Sequence, residues 1–158
     1  MAEKAHLAEL RRKPPGYAED YAAWVEHQVA MLAQRRFDEL DTVNLADEVG
    51  DLGASNWRGF VSAIRLVVLH MLKWDHQPGL RSRSWQASIA VQRNAIADAI
   101  QQSPSYGART DLAITRAYSD ARREASGETD LPLKTFPEAC PYDWAAITTR
   151  DHRLDGDD

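Results

Sequence analysis

The chain carries a single cysteine, Cys140, which excludes an intrachain disulfide and any cysteine-based zinc cluster. Such thiol poverty suits a reducing compartment, so a cytoplasmic location is expected. Long apolar runs are also missing. The richest stretch, Phe60 to Leu72, is interrupted by Arg65 and His70 and is too short to cross a bilayer. The first dozen residues mix charges of both signs without an apolar centre, unlike a secretory signal, so no membrane partner is expected. Positive charge is in deficit as well: 19 Lys and Arg face 24 Asp and Glu, a formal net charge of −5. A protein that grips nucleic acid by its phosphates ordinarily carries the opposite balance, which weighs against that partner. No P-loop, dinucleotide glycine pattern, HExxH or Ser-His-Asp order is present.

What is present is ordinary globular composition, 44% hydrophobic and 27% charged, in a length of 158 residues that suits one domain. Pro14-Pro15-Gly16 sets off residues 1–16 as an expected flexible arm before a single domain over 17–150. Tyr21, Trp24, Val25, Gln28, Met31 and Leu32 recur at spacings of three and four, predicting a helix from about Ala18 to Arg35. Leu45, Val49 and Leu52 predict a short second helix behind an Asp41 cap. Gly50 and Gly53 predict a break, with Ser55 capping a third, strongly apolar helix over about 56–75 that ends at Pro78-Gly79.

Ser84 is expected to cap a fourth helix with the stripe Trp85, Ile89, Gln92, Ile96 and Ile100. Ser103-Pro104 should open a fifth, with Ile114, Ala117, Tyr118, Ala121 and Ala125 as its stripe and Gly127 as its stop. Pro132, Pro137 and Pro141 then exclude a long helix. They predict an extended strap anchored by Leu131, Leu133 and Phe136, a last short helix over 142–149, and a disordered acidic tail over 151–158. Short connections favour antiparallel neighbours. The expected fold is all-α: an antiparallel helical bundle of about five main helices with an irregular, proline-rich C-terminal strap.

Five strings stand out in order along the chain: NLADEVGDLG (44–53), HMLKWDHQP (70–78), RSRSWQASIAVQR (81–93), SPSYG (103–107) and FPEACPYDW (136–144). Together they resemble the bacterial "domain of unknown function 29" family, from about Tyr17 to Trp144. The resemblance implies an all-helical fold and no particular reaction. Ala63 departs from it, standing where many members are expected to carry a basic residue or histidine.

Polar residues on core-facing stripes are the most informative feature, because an unpaired buried polar group costs roughly 1–3 kcal/mol. Gln28, Glu48, His70, Gln92 and Arg93 form a candidate buried polar network, whose simplest role is to fix helix register. His70 and Glu48 are the candidates for catalysis. No metal or other cofactor is expected: His70 and His76 point about 240° apart on a helix, and no Glu-x-x-His pair occurs. Arg65 and His70 fit the loose Arg-x4-His spacing of helical ribonucleases, yet lie about 140° apart, so a shared tight face is not expected. Arg81, Arg83 and Ser84, directly before a helix start, are the candidate anion site, unless an arginine pairs there with Glu48 or Asp47.

Three functions follow, of which the first asks nothing beyond what the sequence contains. It is a non-enzymatic interaction or regulatory module with a protein partner or self-association. The second is a small-anion or nucleotide sensor at Arg81–Ser84. The third is a hydrolase, ribonuclease-like or metal-dependent, centred on His70.

Overall fold

A computed structural model describes residues 16–154. Residues 1–15 of the arm expected over 1–16, and residues 155–158 of the tail expected over 151–158, lie outside the described residues. Among the described residues, five α-helices follow in order: α1 (Tyr21–Ala33), α2 (Thr42–His76), α3 (Arg83–Gln102), α4 (Thr110–Thr129) and α5 (Trp144–Thr149). Short 3-10 turns lie at Phe37–Glu39, Pro78–Leu80, Pro104–Arg109 and Leu133–Thr135, and no strand occurs among the described residues. The all-α bundle is therefore observed. Among the described residues, no helix is long and apolar enough to cross a membrane. The chain divides into two compact units between Gly53 and Ala54.

In the N-terminal unit, Asp20 caps α1 by accepting the Ala23 amide at 3.0 Å. The helix is thus shorter than its apolar spacing suggested. It ends through Arg35, whose φ of 59° is left-handed, while the Arg36 amide donates to the Met31 carbonyl at 2.9 Å. The expected Asp41 cap is in place and accepts the Asn44 amide at 3.3 Å.

The break expected at Gly50 and Gly53 is absent: α2 runs unbroken for 35 residues, and Ser55 lies inside it. Glycine lowers helix propensity by about 1 kcal/mol but removes no amide, so without a proline the hydrogen-bond ladder continues. A Cβ at Gly50 or Gly53 would meet nothing within 4 Å beyond its own helix backbone.

The C-terminal unit packs around the rest of α2. Phe60, Ile64, Val67, Val68, Met71 and Leu72 meet Ile89 and Ile96 of α3, together with Phe136 and Ile147. On α4, Ala113, Ala117, Ala121 and Ala125 are fully buried at four-residue spacing, a low ridge that permits close helix approach.

Three boundaries differ from expectation. Ser82, not Ser84, caps α3, its hydroxyl accepting the Trp85 amide at 3.4 Å. The earlier serine has the three-residue offset to Trp85 that a cap needs. Ser103-Pro104 opens a 3-10 turn, and α4 begins only at Thr110. Gly127 does not stop α4, which continues to Thr129 and ends at Asp130, φ 57°. Aspartate tolerates the left-handed region better than most side chains, so it can terminate a helix as glycine does. Of the expected strap anchors, Phe136 is buried, Leu131 half-buried and Leu133 exposed. At the start of the expected tail, His152 is buried with its ring edge against Trp74, centroids 5.3 Å apart.

Candidate functional site

The two units use their polar and apolar groups in opposite ways. In the N-terminal unit, α1 and the first turns of α2 enclose an open groove of about 470 Å³, whose lining includes Val25, Val29, Leu32, Leu45, Val49 and Leu52. Periodicity alone assigned Leu32, Val49 and Leu52 to core stripes. The structure corrects this: they are 46%, 68% and 63% exposed. An apolar stripe marks a surface that can be buried, and a pair of short helices buries only the inner part of each stripe. Trp24, Gln28 and Met31 take that inner part and are buried.

The polar end of the groove is fixed by Glu48. Its two carboxylate oxygens accept the hydroxyls of Tyr17 at 2.6 Å and Tyr21 at 2.8 Å. These bonds favour the ionised carboxylate and hold its pKa below the usual glutamate value. The reciprocal effect, led by the hydrogen bond to Glu48, pushes the Tyr17 hydroxyl up to about 12. Glu48 is therefore an anion with both oxygens engaged, poorly suited to act as a base. The Tyr17 and Tyr21 rings pack on Trp24, centroids 4.9 and 5.9 Å away. The Trp24 indole donates to Asp41 Oδ2 at 3.1 Å, and Gln28 Oε1 accepts the Asp41 amide at 2.9 Å.

In the C-terminal unit the polar side chains hold the strap. Arg93 Nε donates to the Ile147 carbonyl at 2.7 Å and its Nη2 to the Ala146 carbonyl at 3.2 Å. Arg122 does the same for Phe136 and Leu133, at 3.1 and 3.2 Å, and the Tyr118 hydroxyl donates to the Pro137 carbonyl at 2.5 Å. The Asp75 carboxylate receives the Tyr142 hydroxyl at 2.8 Å and a two-pronged Arg150 guanidinium at 2.8 and 2.5 Å. Burial alone would raise the Asp75 pKa, but the Arg150 and Tyr142 hydrogen bonds outweigh it and hold it below the usual value.

The sequence-selected residues thus fall into two sets. Gln28 and Glu48 belong to the N-terminal unit, and His70, Gln92 and Arg93 to the C-terminal one. His70 is half-buried, its Nδ1 2.8 Å from the Leu66 carbonyl of its own helix. Gln92 is half-buried. Arg65 is ion-paired with Glu124. At the anion candidate, Arg81 Nε donates to the Trp74 carbonyl at 2.9 Å, and its guanidinium lies 5.2 Å from the centre of the Trp74 ring. Ser84 shares a hydrogen bond with Ser82 at 2.9 Å, and Arg83 is exposed. No cluster of three metal-ligating side chains occurs among the described residues.

Sequence reasoning passed over Tyr17, Asp75, Arg122, Tyr142, Arg150 and His152. The proline-rich strap was itself a usable signal, since a segment without its own hydrogen-bond ladder needs donors from its neighbours.

The family model described as Domain of unknown function DUF29 matches residues 17–152, most of the chain, and the protein belongs to that family. No curated protein and no solved structure matches it.

Proposed function

We propose that this protein is an interaction module that binds a protein partner through the groove between α1 and the start of α2. The carrying observation is the distribution of exposed apolar side chains. Of the twelve large ones exposed among the described residues, eight lie between Tyr17 and Leu52, in the smaller unit. Single exposed apolar residues are normal, but a contiguous set lining a concave surface marks a binding site. The polar groups at the groove are already occupied, which favours recognition by shape and apolar contact over chemistry on a substrate.

The test compares what wild type and the Val29→Asp/Leu52→Asp double variant recover from the native extract. Both positions are exposed, so the helical circular dichroism should be unchanged. The reading expects a defined partner with wild type and its loss with the variant. Recovery of the same set by both proteins overturns it.

A further inference from the structure

We infer that the partner presents a cationic amphipathic helix to this groove, an inference that rests on the interaction reading above. The lining residues follow one helical face on each side, Tyr21, Val25, Val29 and Leu32 on α1 and Leu45, Val49 and Leu52 on α2. A trough between two helices accepts a third helix, whose anchors at i, i+3 or i+4, and i+7 match that spacing.

The charge around the trough selects the partner's sign. Residues 16–53 carry nine carboxylates (at 19, 20, 26, 38, 39, 41, 47, 48 and 51) against Arg35 and Arg36, a formal net charge of −7. Arg36 is ion-paired with Glu39 at 2.5 Å, which leaves Arg35 as the one other Lys or Arg of residues 16–53. Residues 54–154 hold thirteen Lys and Arg against ten Asp and Glu, a net of +3, so the acidity belongs to the groove-bearing unit. Three of its carboxylates lie close to the lining. Glu48 is part of it, Asp51 is near enough to help raise the Tyr17 pKa, and Glu26 stands one helical turn before Val29.

This combination steers Lys- and Arg-rich helices inward and repels phosphate backbones and anionic lipid surfaces. It also disfavours a second copy of this chain in the same groove, because two segments, each of net −7 over residues 16–53, would then be brought together.

The test titrates the full chain by calorimetry with two designed helical peptides of about 18 residues, sharing one leucine face. One carries Lys on its polar face and the other Glu. Two variants give the same change of charge: Val49→Arg in the groove, and Val43→Arg, which is exposed and does not line it. Expected are binding of the Lys peptide, about tenfold or more weaker binding of the Glu peptide, about tenfold weakening by Val49→Arg, and little change with Val43→Arg. Equal affinity for both peptides, still lost in Val49→Arg, overturns the cationic partner and leaves the groove reading standing. Absence of binding by either peptide, both in the full chain and after removal of residues 1–15, or equal effects of the two variants, overturns the groove as well. Two further outcomes would replace the partner helix. A free protein that is dimeric until Val49→Arg is introduced makes the occupant a second copy. Lys-peptide binding that appears only after removal of residues 1–15 makes it the chain's own Lys4- and Arg11-bearing segment.

Discussion

The two units differ in what their side chains are used for. In the C-terminal unit, Arg93, Arg122, Tyr118 and Asp75 each bond to the segment after α4, and Phe136 and Ile147 fill the core beneath it. In the N-terminal unit the polar groups bond among themselves at one end of the groove, and the aliphatic residues beside them remain exposed. A side chain already bonded to its own fold has little left for a ligand, whereas an exposed apolar face can still gain by being covered. Abundance of polar residues is therefore a poor guide to function here.

Truncation of apolar side chains should separate the units most sharply. Phe136→Ala, which empties a fully buried site, should cost about 3–5 kcal/mol in denaturant unfolding. Val49→Ala, on the exposed groove wall, should change stability by no more than about 0.5 kcal/mol. Similar costs at the two positions would erase the distinction between a finished core and an open face.

Arg93→Ala comes next. It deprives the Ile147 and Ala146 carbonyls of their guanidinium donors, and about 1–3 kcal/mol should be lost. Faster hydrogen exchange should follow over 144–154, with α1 unaffected. A change spread evenly over the chain would show that Arg93 is not specific to the strap.

Acid should also act on the strap. Burial, followed by the charges of Arg93 and Arg150, holds the His152 pKa below its ordinary 6.5, outweighing the opposing pull of the Arg150 backbone and Asp75. The folded protein thus keeps His152 neutral where the unfolded chain would protonate it. Stability from this site is complete above pH 6.5 and falls as the pH drops below it. The Asp75 carboxylate, with a pKa below its ordinary 3.8, contributes a second loss at lower pH, as it is protonated. His152→Phe should flatten the first decline in melting temperature and leave the second. An unchanged first decline would assign it to another group.

The smallest effect expected is at Gly53. Its Cβ position is open and it lies inside α2, so Gly53→Ala should stabilise the protein by about 0.5–1 kcal/mol. Destabilisation would mean that α2 needs a flexible joint there, as the glycine spacing first suggested.

Helix content and the central apolar stretch of α2 were legible because three- and four-residue spacing is a local property. The Asp41 cap and the proline-rich strap were legible for the same reason. The carbonyls bonded by Arg93 and Arg122 were not, since they lie 54 and 14 residues away in sequence. Nor was the exposure of Val49 and Leu52. A stripe of leucine and valine reads the same whether the chain covers it or leaves it for a partner. Among the selected polar residues, Gln28 and Glu48 were found for a sound reason, their place among apolar neighbours, but their bonds to Asp41 and the two tyrosines are tertiary.

Hydrogen exchange of the full chain, with and without the lysine-faced peptide, decides whether the groove between α1 and the start of α2 is the binding face. Added protection should be confined to α1 and to residues 42–53, with the strap unchanged. Protection that appears over 131–152, or nowhere, would contradict it.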